Sequence, residues 1–390
     1  MNFFNRFFFT NLKNVDILIF DETNNHILEK VINQKYTFSI YKQRPAVFYV
    51  TFKILMKFII NLKFIINHKL EKSNKTNFFS NLFRTLNLIY IKSCIELINP
   101  RAVITYIDNS SNFFWLSKHC KICPFIAFQN GTRLRYFKND TKDYYLQHFF
   151  CWGENMIGLF KDYKYTVKNF YPVGSLAANV HFNFDKKNAV QFKYDLLIVS
   201  TWRGNIGWTE DVVDTMNSMR IMDKLLSKYI SIKKIKAGIV LRSEINSAHF
   251  NMDGLGNEID YFKKIYKDSA EIIKNNFKDR IIYEKIQNSN VIVSCLSSAL
   301  LEAYGLGKKI MYFNFTKNNK YHCDLDHQIV STSDDWNSFE SLMDGIFATR
   351  GEDYYSLHEK NMFKMMSFDK KKNTIKNIQK KIDKIICDHI

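Results

Sequence analysis

Two adjacent serines, Ser297 and Ser298, are suited to bind an anion, because they follow a β-branched run at 290–294 that predicts a strand. Paired serines at this place can cap a helix, and the backbone N–H groups at its positive end suit a phosphate. Glu302 lies four residues beyond Ser298, where its carboxylate could accept hydrogen bonds from ribose hydroxyls. The pattern favours a nucleotide-binding loop, and a capped helix in an ordinary α/β domain is the alternative.

A carboxylate follows a second predicted strand. Asp108 comes directly after residues 102–107, and open parallel sheets bind ligands at the carboxyl ends of their strands. We therefore expect Asp108 to point into a cleft, where a carboxylate can act as a base toward an acceptor hydroxyl or as a nucleophile. The alternative is that residues 108–111, Asp-Asn-Ser-Ser, only cap the next helix.

A third polar loop follows the strand predicted at 194–200. It contains Ser200, Thr201 and Arg203. A guanidinium presents its donors in a fixed fork, so Arg203 is expected to bind a donor phosphate. Arg242 follows the next predicted strand in a comparable place, where a surface arginine is the simpler interpretation.

A fourth loop follows the strand predicted at 124–128. It contains Gln129, Asn130, Gly131 and Arg133. This loop could bind the carboxylate of an acidic sugar or a phosphate of an acceptor. A solvated basic loop is the alternative interpretation.

The elements that must position these loops alternate between short β-branched runs and longer helical segments, which predicts βαβ units and parallel sheets. A polar passage at 177–191 separates two such runs. We therefore predict an α/β protein with two Rossmann-like domains facing across a cleft, residues 1–178 and 190–353, and a helical segment, 354–390, that packs across both. The strands predicted in the second half are 194–200, 235–241, 280–283, 290–294 and 309–313.

Composition limits the class of protein. The chain has 390 residues, of which 46% are hydrophobic, and this excludes general disorder. The net charge of +18 indicates nucleic acid, an anionic membrane surface or phosphorylated small molecules as partners. No nucleic-acid-binding module is recognisable, so we predict no nucleic acid. Seven scattered cysteines and the lack of a signal peptide predict a cytoplasmic protein.

The segment 48–69 is apolar and predicted to be helical, with Lys53, Lys57 and Asn61 along one edge. An apolar helix bordered by lysines is typical of a helix that lies on anionic lipids. The sequence therefore predicts peripheral association with the inner face of the cytoplasmic membrane. A core helix whose lysines reach out to solvent is the alternative.

Taken in order, these motifs resemble those of GT-B-fold glycosyltransferases of bacterial surface polysaccharide synthesis. Residues 290–309 are similar to the donor-nucleotide motif of transferases that use CMP-activated Kdo or other nonulosonic acids. Residues 125–133, 151–154 and 171–175 resemble loops of the first domain in those enzymes, and the resemblance covers about residues 100–315.

The resemblance implies transfer of a Kdo-like sugar from a CMP donor onto a lipid-linked acceptor glycan of lipopolysaccharide or capsule. Ser297 and Ser298 would hold the donor phosphate, Glu302 the ribose, and Asp108 would be the nucleophile or base. A departing CMP has one phosphate, which protein cations can stabilise, so we predict no metal and no cofactor. The alternatives are a CDP-glycerol or CDP-ribitol phosphotransferase and a non-catalytic scaffold of polysaccharide assembly.

Overall fold

A computed structural model describes most of the chain, in these ranges: 7–8, 12–22, 24–43, 48–67, 78–133, 144–163, 165–182, 192–203, 210–244, 253–276, 280–316, 318, 321–368 and 374–389. The sequence also predicts a break between helices near 72–75, and this break lies outside these ranges, as does most of the polar passage at 177–191. The described residues form two six-stranded parallel sheets with helices packed against them. The predicted α/β architecture of two Rossmann-like domains is therefore confirmed.

The first lobe is the part of the chain up to residue 182. Its sheet has the order β3-β2-β5-β6-β7-β8. The tetrapeptides of β2, β5 and β6 are buried at every position, as expected for parallel strands covered on both faces. The elements are β1 (Phe7–Phe8), β2 (Ile17–Phe20), α1 (Asn25–Glu29), β3 (Phe38–Tyr41), β4 (Phe48–Tyr49), α2 (Phe52–Asn67), α3 (Phe78–Ile98), β5 (Ala102–Thr105), α4 (Ser111–His119), β6 (Phe125–Phe128), β7 (Tyr145–Cys151), α5 (Glu154–Asp162), β8 (Thr166–Pro172) and α6 (Leu176–His181).

The second lobe is built on a sheet of order β11-β10-β9-β12-β13-β14. All of its pairings are parallel. Its elements are β9 (Tyr194–Val199), α7 (Glu210–Lys233), β10 (Ala237–Glu244), α8 (Asp253–Tyr266), β11 (Ala270–Asn275), α9 (Ile281–Gln287), β12 (Ser289–Ser294), α10 (Ser298–Gly305), β13 (Lys309–Phe313), β14 (Val330–Ser331) and α11 (Trp336–Ala348).

One predicted strand, 280–283, is wrong. These residues begin helix α9, which buries Tyr283, Ile286 and Gln287 at helical spacing. The strand lies earlier, at β11, which overlaps the end of a segment, 257–274, that the sequence predicts to be helical. Because β11 is an edge strand, it carries exposed charges that hide its pattern in the sequence.

Two C-terminal helices, α12 (Gly351–Met365) and α13 (Thr374–His389), follow the second lobe and return to the first. The backbone N–H of Ser367 donates to the carbonyl of Trp152 at 2.7 Å. Lys35 Nζ forms an ion pair with Asp383 at 2.8 Å. The end of the chain thus connects the two lobes.

Candidate functional site

A cavity of about 410 Å³ lies between the lobes, where loops after the parallel strands meet. This is the place at which open α/β sheets bind ligands. Both lobes contribute to its walls. The lining residues are Asn24, Tyr106, Asn130, Ala177, Val199, Ser200, Thr201, Arg203, Leu241, Arg242, Asn275, Arg280, Ile282, Tyr283, Leu296, Ser297, Ser298, Ala299 and Glu302.

The N-terminus of helix α10 lines the cavity. Strand β12 ends at Ser294, and Leu296 then takes a left-handed conformation with φ of 56° before the helix begins. Such a conformation costs about 1–3 kcal/mol in a residue other than glycine and is common at functional sites. Ser297 occupies the N-cap position with extended backbone, yet its hydroxyl makes no capping hydrogen bond. The positive end of the helix is therefore not satisfied by its own cap and suits an anion.

Ser298 joins this helix end to the first lobe. Its Oγ accepts a hydrogen bond from the backbone N–H of Thr132 at 2.9 Å. The loop can approach so closely because residue 131 is glycine: a Cβ there would lie 3.2 Å from Ser298 Oγ. Of the loop residues predicted to bind an acceptor, Asn130 lines the cavity.

Among the described residues, the charged side chains that line the cavity are three arginines and one carboxylate. They are Arg203, Arg242, Arg280 and Glu302. Burial, helped by the nearby charge of Arg203, lowers the pKa of Arg242 to about 10, so it is charged at neutral pH. Counted over the described lining residues, three arginines and one ionised glutamate give a formal charge of +2. Arginine forks at a helix N-terminus are a typical arrangement for phosphate binding.

Glu302 is buried within helix α10 and forms a hydrogen bond across the lobe boundary. Ser175 donates to Oε1 at 2.5 Å, and Tyr283 donates to Oε2 at 2.9 Å. Burial raises the pKa of Glu302, against the opposing effects of these two hydroxyls and of Arg280. Glu302 lines the cavity, and its hydrogen bond with Ser175 also joins the two lobes.

The side chains of Ser200 and Thr201 are used by the second lobe itself. Ser200 Oγ donates to Glu258 Oε1 at 2.5 Å, and Thr201 Oγ1 lies 3.1 Å from Cys295 Sγ. Both residues line the cavity. Their hydroxyls fix the loop that carries Arg203.

The structure does not bring Asp108 to the cavity. The side chain is fully buried, and both carboxylate oxygens accept hydrogen bonds from Arg133. Oδ1 also accepts from the backbone N–H of Asn130 at 3.3 Å. This geometry argues against the predicted role as nucleophile or base, because both carboxylate oxygens of Asp108 already accept hydrogen bonds within the first lobe. Asp108 and Arg133 instead order the loop that touches Ser298.

Gln129 has a similar internal role. Its Nε2 donates to the carbonyl of Gly131 at 2.9 Å, and its Oε1 accepts from the backbone N–H of Trp152. The side chain is buried. Gln129 and Arg133 therefore shape the loop, whereas Asn130 is the residue that it presents to the cavity.

Arg280 and its partner in the first lobe are not among the site residues predicted from the sequence. Arg280 Nη2 donates to Asn24 Oδ1 at 2.8 Å. Both residues have left-handed backbone, with φ of 47° and 57°, and each immediately precedes a helix. A correct assignment of helix α9 would have placed Arg280 at a helix N-terminus beside the cleft.

Within the described ranges, no group of three or more His, Cys, Asp or Glu side chains is arranged to hold a metal ion. Cys120 and Cys123, the lone Cys-x-x-Cys pair, are buried and unbridged. Burial raises the pKa of the Cys120 thiol to about 11, so it is protonated at neutral pH.

No protein-family model matches the sequence, and no curated protein matches it significantly. Solved structures do share its fold. MnaA from S. aureus, in a co-structure with UDP, superposes with a TM-score of 0.56 and 13% identity over 96% of this chain and 97% of that chain. A putative UDP-N-acetylglucosamine 2-epimerase from Listeria monocytogenes gives 0.54 and 12% over 97% of both chains. The chain therefore has the two-lobed GT-B fold.

Proposed function

We propose that this protein transfers a sugar from a nucleotide-sugar donor bound in the cavity between the lobes. The observation that carries the proposal is the positive end of helix α10, which shares the cavity with Arg203, Arg242 and Arg280. These groups are placed to hold the donor phosphate and to stabilise the negative charge that develops on it as the sugar leaves.

The charge of the described cavity lining indicates the net charge expected of the donor. A lining charge of +2 suits a donor with two negative charges. A UDP-sugar carries them on two phosphates, and a CMP-ulosonate carries one on its phosphate and one on the sugar carboxylate. Glycosyl donors of both kinds therefore carry a charge that would balance that of the lining.

Our first choice of donor is a CMP-linked Kdo-like or other nonulosonic acid, with a surface glycan as acceptor. The support is the sequence resemblance through Ser297, Ser298 and Glu302, together with their common position at the cavity. In this proposal Ser297 and Ser298 hold the phosphate and Glu302 meets the ribose.

A second candidate is chemistry on a UDP-sugar, including 2-epimerisation without an acceptor. It is favoured by the fold similarity to MnaA with UDP and to the Listeria protein described as a UDP-N-acetylglucosamine 2-epimerase. The two candidates share the phosphate site and differ in the base and in the fate of the sugar.

The test begins with thermal unfolding in the presence of CMP, CDP, UDP and GDP. A nucleotide at a hundredfold excess over its Kd should stabilise the fold by about 2.7 kcal/mol. CMP is expected to stabilise most. Turnover of the matching donor, with and without a chelator, follows: release of nucleotide with a glycosylated product supports transfer, and a 2-epimer formed without acceptor supports the second candidate.

Stabilisation by CDP with transfer of a polyol phosphate would instead favour the CDP-glycerol class. We expect turnover to persist with the chelator, because three arginines and a helix end supply the charge. If none of the four nucleotides stabilises the protein, the proposed function is wrong.

A further inference from the structure

Helix α2 presents its apolar side to solvent. Five large hydrophobic residues occupy one helical face of α2, because they are adjacent or lie three or four positions apart. Each of them is 43–77% exposed. They are Phe52, Leu55, Met56, Ile59 and Ile60. Apolar residues at this spacing ordinarily face a core, so the outward orientation requires an explanation.

The polar side of α2 faces inward, against α3. Lys57 Nζ lies 3.1 Å from Glu96 Oε2, and Asn61 Nδ2 donates to the same oxygen and to Ser93 Oγ, both at 2.9 Å. Lys92 forms a further ion pair with Glu96. Rotation of the helix to cover its apolar face would break these bonds and leave Glu96 with fewer partners. The polar contacts therefore fix the apolar face outward.

This arrangement corrects the expected lysine edge. Lys57 and Asn61 were expected on a basic border toward lipid, but they bind α3. Among the residues of these helices whose exposure is described, Lys53 on α2 and Arg84 on α3 are exposed cations. The two helices together contain five Lys or Arg residues and one acidic residue, Glu96.

We propose that the outward face of α2 docks on an anionic lipid bilayer. This surface, the α2 face, consists of Phe52, Leu55, Met56, Ile59 and Ile60. The cationic balance of α2 and α3 complements a negatively charged membrane, and an apolar helix face with nearby cations can lie in the headgroup region. A second copy of this chain is a poorer occupant, because two surfaces of the same positive charge would meet.

Docking through α2 is a peripheral mode of binding. Within the described residues, no helix is both long enough and apolar enough to cross a bilayer. The proposal is independent of the donor chemistry, because α2 contributes no residue to the cavity lining.

The experiment is flotation of the purified full-length protein with phosphatidylcholine vesicles, prepared with and without phosphatidylglycerol. We expect binding to the anionic vesicles and weaker binding at high salt. The variant Leu55→Ser/Ile59→Ser should lose at least about tenfold in binding, since it removes apolar groups that the bilayer would bury. The matched control is Ile232→Ser/Leu357→Ser, because these residues are similarly exposed, 52% and 61%, on other helices. The control should bind like the wild type.

A second measurement covers the case in which the double variant does not fold. Six of the seven cysteines are buried and Cys387 is exposed, so a Cys387→Ser background permits site-specific labelling. An environment-sensitive dye on Ile59→Cys should shift to the blue with anionic vesicles, and the same dye on Ile232→Cys should not.

Three results would overturn the proposal. One is the absence of flotation with either vesicle, and another is an equal loss of binding in the α2-face variant and its control. The third is a dimer in analytical ultracentrifugation that Leu55→Ser/Ile59→Ser abolishes while lipid binding is absent, which would assign the α2 face to a second copy of the chain.

Discussion

The backbone N–H of Thr132 donates to Ser298 Oγ at 2.9 Å, so the helix end at the cavity is also held by the opposite lobe. Gly131 makes this approach possible. One hydroxyl therefore belongs both to the candidate phosphate site and to the contact between lobes. Ligand affinity and lobe association are expected to change together when it is removed.

We expect Ser298→Ala to weaken nucleotide binding by about twofold to tenfold, measured by isothermal titration calorimetry, because a hydrogen-bonding group worth about 0.5–1.5 kcal/mol is lost. It should also increase cleavage between the lobes in limited proteolysis. Ser297→Ala is the control for the second effect, since Ser297 lies at the same helix end without the bond to Thr132. Unchanged affinity and unchanged proteolysis in Ser298→Ala would contradict this account.

Arg280→Ala should reduce nucleotide affinity by about tenfold to a hundredfold, since a hydrogen bond to a charged group is worth about 1.5–3 kcal/mol. Asn24→Ala removes the partner of Arg280 across the lobes and keeps the guanidinium, so its effect should be smaller. Arg350→Ala, at an exposed ion pair with Asp353, should bind like the wild type. Equal losses in the Arg280 and Asn24 variants would mean that Arg280 acts only through the lobe contact.

Asp108→Ala is expected to destabilise the fold by about 3–5 kcal/mol, because it removes the carboxylate that balances the buried charge of Arg133. The double variant Asp108→Leu/Arg133→Met should recover much of this free energy of unfolding in urea denaturation. If Asp108→Ala abolished turnover while its stability stayed at the wild-type value, the side chain would have the catalytic role predicted from the sequence.

Gly305 packs directly against the segment that follows α12. A Cβ at this position would overlap the Cβ of Met366, whereas a Cβ at Gly345 would meet nothing within 4 Å. We therefore expect Gly305→Ala to lower the free energy of unfolding by about 1–3 kcal/mol through overpacking. Gly345→Ala, inside helix α11, should raise it by about 0.5–1 kcal/mol. Urea denaturation of both variants tests the pair, and a stabilising Gly305→Ala would refute the packing argument.

Asp223 should make stability depend on pH near neutrality. Burial raises its pKa to about 7, although Tyr266 and Tyr261 donate to its two oxygens. The folded state thus holds a proton that the unfolded state releases near pH 4, so this residue lowers stability as pH rises from about 4 to about 7. Unfolding temperatures of Asp223→Asn should fall less over this interval than those of the wild type. Asp353→Asn is the control, because the pKa of Asp353 is lowered and its titration lies below the interval. Parallel curves for Asp223→Asn and the wild type would contradict the shift.

The parts of the site that could be predicted from sequence are those that depend on local order along the chain. Ser297, Ser298 and Arg203 follow buried strands directly, and the carboxyl ends of parallel strands face the same cleft. The alternation of strands and helices likewise predicted the architecture. These features can be predicted because each depends only on a strand, a turn and a helix start that are consecutive in the sequence.

The rest depends on contacts between distant segments. The β-branched Ile281 and Ile282 resemble a strand, so Arg280 was not recognised at a helix start. Asp108 satisfies every local requirement for a cleft carboxylate, but Arg133, from the next loop, encloses it. The sequence left open whether the apolar face of α2 lies on lipid or in a core, because Glu96 on another helix determines which side of α2 faces inward.

Helix α13 packs on a lobe whose last strand ends at Pro172, although the helix itself begins at Thr374. Gln379 donates to the carbonyl of Lys30, and Asp383 pairs with Lys35. During synthesis the first lobe therefore leaves the ribosome long before this helix exists. The contacts of α13 can form only after the second lobe has been synthesised, so the first lobe gains this part of its packing later than its own sheet.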